Sequence, residues 1–181
     1  KGEIGMILLK PGWESAYQGT PEIMTIGCLG KIKHHSELPE GKYNILLSGL
    51  YRFRILNEIK GKIYRQAQVE FLKEINDKDL TSEPSPIKEK LIRVMRLYLK
   101  NLSEGTKIEQ ALDMKNCRNL AEFVDKLTHH FDLPVNKMQE FLEQQDVQKR
   151  ADSLHSLIEF KSQLIQISKN MKDKEIDFSM N

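Results

Sequence analysis

The stretch 39–73, PEGKYNILLSGLYRFRILNEIKGKIYRQAQVEFLK, restricts what this chain can fold into more than any other part of it. Tyr43, Ile45 and Leu47 alternate with Asn44, Leu46 and Ser48. Tyr51, Phe53 and Ile55 alternate with Arg52, Arg54 and Leu56, and Ala67, Val69 and Phe71 with Gln66, Gln68 and Glu70. A period of two sets one apolar row on a core and a polar row in water. Gly41, Gly49 and Gly61 punctuate the pattern where turns and bulges need them. The stretch reads as three consecutive β-strands. It holds no reacting group, which points to a scaffold that binds rather than one that cuts.

Upstream, residues 3–10 read as a strand stopped by Pro11-Gly12, and 11–21, PGWESAYQGTP, as a proline-bounded loop carrying the chain's one tryptophan. Residues 23–34 form the next strand, with Met24, Ile26, Cys28 and Ile32 toward the core. Gly27 and Gly30 mark a close backbone approach or a bulge. A turn at 36–41 follows. The first 73 residues thus hold about five short strands joined by tight turns, mostly antiparallel.

The pattern then changes. Residues 74–86, EINDKDLTSEPSP, are polar and proline-bearing, as a connector between subdomains would be. Beyond them the apolar period becomes that of a helix. Ile87, Leu91, Val94, Met95, Tyr98 and Leu102 make one stripe, starting near Ser85 or Pro86; Leu120, Phe123, Val124, Leu127 and Phe131 make a second. Residues 103–117 are ambiguous. Leu133-Pro134 breaks the second helix, and Met138, Phe141 and Leu142 mark a short third. Asp146 fits the N-cap of a long fourth helix carrying Val147, Ala151, Leu154, Ile158, Ile165 and Met171. From 147 to 170 that helix would span on the order of 36 Å. Residues 172–181 are charged and aperiodic and read as a frayed tail.

Composition bounds the function classes. With 39% hydrophobic residues the 181-residue chain has material for a core in one domain or two small subdomains. Its longest apolar run, Met6 to Leu9, falls far short of a membrane span, and no signal-peptide pattern opens it. The 28 basic and 26 acidic residues are well mixed. Nucleic acid wants a clustered basic face, so it is disfavoured as a partner. Cys28 and Cys117 lie in different kinds of segment and read as two thiols in a reducing, cytoplasmic setting.

The run P-E-G-K-Y-N-I-L-L-S-G-L-Y-R-F-R-I, followed by Y-R-Q-A-Q-V-E-F-L, resembles the Lon substrate-binding domain. That is the N-terminal module of Lon proteases, which also occurs alone and is similar to part of cereblon. Ile4 to Trp13 looks like the same family, as does 133–154 with its K-M-Q-E-F-L-E and D-V-Q-K-R segments, so the resemblance covers most of 3–160. It implies a PUA-like pseudobarrel of strands joined to helices, and recognition of polypeptide without chemistry. Family members usually open with a strand rich in Pro, Leu and Phe and a helix bearing H-I-F-E-x-R-Y. Neither stands in this sequence, so the native protein is expected to begin earlier and to supply that strand.

The candidate constellations are few. His34-His35, His129-His130 and His155 are spaced poorly for chelation, so no metal and no cofactor is expected. There is no G-x-S-x-G elbow and no P-loop. The ATPase and Ser–Lys peptidase that the family carries in later domains have no counterpart here, so no catalytic residue is assigned. Trp13 and Tyr17 are candidate substrate-binding residues, since aromatics on a loop bring large contact area at low entropic cost. Their plainer reading is a plug at the edge of the sheet. Arg52 and Arg54, beside Arg65 and Lys31, would hold acidic peptide segments, or form a solvated face balanced by Glu58 and Glu70.

The expected fold is therefore α+β. A small, mostly antiparallel β-subdomain at 1–73 is followed by a connector at 74–86, a helical bundle at 87–171 with a long C-terminal helix, and a tail at 172–181. By resemblance the function is non-catalytic recognition of unfolded or degron-bearing proteins for ATP-dependent proteolysis. A PUA-like RNA-binding module is the alternative, which would need a basic stripe. Oligomerisation through the last helix is a third reading.

Overall fold

Residues 2–16, 19–61, 63–81, 85–102 and 117–179 are described by the computed structural model of the chain, the side chains of 172–179 excepted. The residues fall into two compact units, 1–73 with 135–145, and 74–134 with 146–181.

The first unit is a four-stranded antiparallel sheet in the order β1-β2-β3-β4: β1 Glu3–Met6, β2 Ile26–Leu38, β3 Lys42–Ile59 and β4 Gln66–Phe71. The alternating rows expected to be two strands, at 43–47 and 51–55, form one 18-residue strand. Gly49 sits at a bulge and not at a turn. Tyr51 faces Leu29 and Gly49 faces Gly30, which leaves Leu50 as the extra residue. Lys33 and Leu56 are extra residues at two more register shifts. Such bulges add twist, which lets strands this long stay paired. The turn that reverses the chain is later than expected, a short 3-10 turn at Pro39–Gly41 in which Glu40 and Gly41 have φ of 66° and 70°.

The sheet buries little of its own surface. Among the described apolar residues of this unit, only Ile26 and Phe53 are buried. Phe53 lies across from Gly27, where the strands approach so closely that a side-chain carbon on Gly27 would meet the Met6 carbonyl and the Phe53 ring.

The short helix Val135–Glu143, numbered α3 in chain order, belongs to this sheet unit and not to the helical bundle expected for it. Two polar side chains bond it to the sheet. The buried Gln139 donates from Nε2 to the Ile26 carbonyl at 3.0 Å, and Arg52 Nε donates to the Leu142 carbonyl at 3.0 Å. Carbonyls in a helix's last turn lack partners within the helix, and a guanidinium suits both their lone pairs and the negative end of the dipole.

The second unit holds α1 Pro86–Asn101, α2 Leu120–His129 and α4 Val147–Ser179. Ile87, Leu91, Val94, Met95 and Leu99 are the buried stripe of α1, which packs along α4. Asn119 caps α2 by accepting from the Glu122 amide. Asp146 caps α4 by accepting from the Lys149 amide, as its place before the apolar stripe predicts. Val147, Ala151, Leu154 and Ile158 are fully buried at helical spacing. The helix runs on through most of the segment read as a tail. The ambiguous residues 103–116 lie outside the described ones.

Residues 75–81, read as part of a loose connector, are bonded into this helical unit. Ile75 bridges Asp146 and Asp79 bridges Asn119. The Leu80 amide donates to the Arg118 carbonyl, and Asp77 accepts from the Ala121 amide. Arg150, with no solvent exposure, reaches Glu74 at 3.0 Å from Nη1 and Asp125 at 3.2 Å from Nε. Polar composition alone does not distinguish a flexible linker from a segment whose polar groups are bonded into the fold.

Candidate binding surface

Trp13 stands on a loop that the structure closes firmly at its base. The Leu9–Ile23 bridge, the Lys10 amide on the Glu22 carbonyl at 2.8 Å and the Met24 amide on the Leu8 carbonyl at 2.8 Å pinch it shut. Lys10 Nζ also meets Glu22 Oε2 at 2.8 Å, which holds the Glu22 carboxyl below its ordinary pKa. Within the loop, Gly12 takes a φ of 86° and its carbonyl accepts from the Ser15 hydroxyl, starting a 3-10 turn at Trp13–Ala16. Arg65 donates to the Pro21 carbonyl at 2.7 Å while forking onto Glu58 at 2.8 Å, so the loop's far end is tied to β3. Trp13 is 36% exposed on this frame. Tyr17 lies outside the described residues.

The two arginines are engaged differently. Arg54 stands directly across from Glu70 and bonds it at 3.0 Å, an exposed cross-strand pair. Arg52 carries the bond to α3 already described. That bond, with Gln139, is the feature sequence reasoning missed. The sequence signal was a short helix marked by Met138, Phe141 and Leu142, whose apolar spacing does not say which unit it packs on.

This unit keeps large apolar side chains in water on both sides of its sheet. Tyr43, Leu46, Tyr51, Leu56, Ile59 and Phe71 are all exposed large hydrophobics, Leu46 at 62% and Tyr51 at 60%. The rings of Tyr51 and Phe71 lie 5.6 Å apart, an aromatic pair across β3 and β4. Monomeric soluble proteins seldom leave so much apolar surface on one element without a use for it.

Among the described residues no three His, Cys, Asp or Glu side chains are placed to hold a metal. Burial pushes the Cys117 thiol pKa up, away from a reactive thiolate. No helix among the described residues is long and apolar enough to cross a membrane.

Comparison with known proteins agrees with this picture. The family model of the ATP-dependent protease La (LON) substrate-binding domain matches residues 1–159. Lon protease 1 of Bacillus subtilis (strain 168) is 25% identical over 153 residues, covering 84% of this chain and 19% of that protein. The Lon protease of Treponema pallidum (strain Nichols) is 25% identical over 175 residues, covering 95% and 19%. The chain thus spans about a fifth of the length of the curated relatives it matches. Among solved structures, the N terminal domain of Mycobacterium avium complex Lon protease superposes with a TM-score of 0.56 at 16% identity, covering 86% of this chain and 89% of that one. That likeness concerns the fold, an antiparallel sheet followed by helices.

Proposed function

The chain belongs to the ATP-dependent protease La (LON) substrate-binding domain family, a non-catalytic domain distinct from the ATPase and protease domains, and we propose that its sheet unit recognises unfolded or degron-bearing polypeptide for ATP-dependent proteolysis. The observation that carries this reading is the imbalance of burial. The sheet unit buries only Ile26 and Phe53 among its described apolar residues, while the helical unit buries a full core from Ile87 to Ile158. A surface that keeps tyrosines, leucines and phenylalanine in water suits partners that themselves expose apolar side chains, which unfolded chains do. The reading sets this work in the cytoplasm, where Cys28 and Cys117 stay reduced.

Trp13 and Tyr17 serve as anchors. An aromatic on a braced loop loses little entropy on binding, and at a hot spot each contributes about 2 kcal/mol. Arg54 tunes the rate and salt dependence of association, and Arg52 acts mainly by holding α3 against the sheet. The test measures by titration calorimetry the affinity for reduced, carboxymethylated α-lactalbumin, a permanently unfolded probe. Trp13→Ala with Tyr17→Ala should weaken that affinity about tenfold or more, at about 1.4 kcal/mol per decade. If the double variant melts much lower yet binds equally well, the two aromatics are packing residues.

One observation favours self-association as well. Phe160, Leu164, Ile167 and Met171 are exposed on α4 at steps of four, three and four, the spacing of a coiled-coil seam. Sedimentation would show a concentration-dependent oligomer that Leu164→Glu abolishes; a monomer at every concentration rules it out.

A further inference from the structure

We propose that the tip of the β3–β4 hairpin is a second anchor beside the Trp13 loop, with Ile63 and Tyr64 as its apolar contacts and Lys60 as its charge. It selects client segments in which a bulky apolar residue stands next to acidic ones. This rests on the polypeptide-recognition reading and names the class of segment the sheet unit takes.

Topology brings the two loops together. β1 ends at Met6 and β2 begins at Ile26, while β3 ends at Ile59 and β4 begins at Gln66. In an antiparallel sheet ordered β1-β2-β3-β4, both connections leave from the same end. Two bonds then run them side by side. The Ile55 amide donates to the Thr25 carbonyl at 2.8 Å, and Arg65 Nη1 donates to the Pro21 carbonyl at 2.7 Å. Because Arg65 also forks onto Glu58, one guanidinium fixes both legs of the hairpin and the end of the tryptophan loop.

The side chains at the tip are not those a turn needs. Turns favour glycine, asparagine, aspartate and serine for backbone reasons, and Gly61, with a φ of 96°, meets that need here. A β-branched isoleucine and a tyrosine add nothing to the reversal. Ile63 is fully exposed and Tyr64 is 61% exposed, so neither contributes much to a core. Both stand past the last paired residues, Ile59 and Gln66. A strand added along an edge of the sheet pairs with the ladder and not with the tip.

Charge decides the kind of segment. The sequence from 59 to 65, IKGKIYR, holds three basic residues and no acidic one, whereas the one charge within 11–21 is Glu14. Arg65 is engaged by Glu58. Lys60 is exposed and has no ion-pair partner among the described residues. An acidic residue beside an apolar anchor therefore meets a cation at the tip, and a basic one is repelled.

Fluorescence anisotropy of labelled peptides with the intact chain tests this. One peptide carries Phe-Leu-Phe between pairs of aspartates, a second the same core between pairs of lysines, and a third Ala-Ala-Ala between aspartates. The first should bind about tenfold more tightly than either of the others. Ile63→Ser with Tyr64→Ser should remove about that margin with unchanged melting. Lys60→Glu should weaken the first peptide and strengthen the second. Equal affinity for the aspartate and lysine peptides overturns the proposal, as does full affinity in the Ile63→Ser, Tyr64→Ser variant. Continued binding of carboxymethylated α-lactalbumin in either case leaves polypeptide recognition standing. Binding to phosphatidylglycerol vesicles through Ile63 and Tyr64 without affinity for any peptide overturns it too, by giving the tip to a lipid surface. If neither the peptides nor the unfolded protein binds, the recognition reading itself falls.

Discussion

A methyl group on Gly27 would run into the Met6 carbonyl oxygen and stand 2.8 Å from Phe53 Cζ, whereas one on Gly49 would find only Cys28 Sγ at an ordinary 3.5 Å. Gly27→Ala should therefore cost about 1–3 kcal/mol in urea unfolding followed by circular dichroism, in the range of overpacked sites, while Gly49→Ala stays near neutral. The close approach at Gly27 was legible, because a glycine inside an alternating row has few other uses. Arg150 was not, since its partners Glu74 and Asp125 are distant in sequence and a lysine or arginine on a long helix reads as solvated. Arg150→Ala should lose about 3 kcal/mol by leaving a cavity where a fully buried side chain stood and by breaking its ion pairs. Arg150→Met should lose less, because Glu74 and Asp125 keep contact with water and the stem volume is kept. Asp146 makes a pH prediction. The Lys149 amide, then the Asn76 side chain, hold its carboxyl below the ordinary value. Its contribution is full above the unfolded pKa of about 4 and is lost as pH falls through the lower folded one. Asp146→Asn keeps a good cap, so the variant should match the parent at pH 7 and lose stability less steeply below pH ~4.

At the scale of elements, the sequence marked strands and helices well and assigned one of them to the wrong neighbour. Period-two rows located the paired residues of β3, but whether Gly49 turns the chain or bulges it depends on a partner strand that periodicity cannot see. The apolar residues of α3, Met138, Phe141 and Leu142, mark a helix without saying which unit it packs on. It is held by Gln139 and Arg52, two polar residues whose targets are backbone carbonyls, and backbone carbonyls leave no trace in a pattern. A fragment of residues 1–73 should consequently fail to fold alone. It keeps two buried apolar side chains and loses both bonds to α3, and small sheets with so little burial are marginal. Poorly dispersed amide resonances for that fragment would agree. A dispersed spectrum matching the intact chain would show that α3 is dispensable. Arg52→Ala in the intact chain should lower stability by about 1.5 kcal/mol or more, since it removes a charged hydrogen bond at a half-buried site, and leave affinity per folded molecule unchanged.

Over the whole molecule, the two units divide the work by how they treat apolar surface. The helical unit spends its leucines, valines and phenylalanines on one another, capped and tied by Asp146, Asn119 and Arg150. The sheet unit leaves most of its own in water. The most direct measurement is amide hydrogen exchange across all 181 residues, with and without saturating carboxymethylated α-lactalbumin. Slowed exchange within 3–71, with the buried stripes of α1, α2 and α4 unchanged, is what the account predicts. Slowing confined to the helices, or none at a concentration where binding is independently seen, would contradict it.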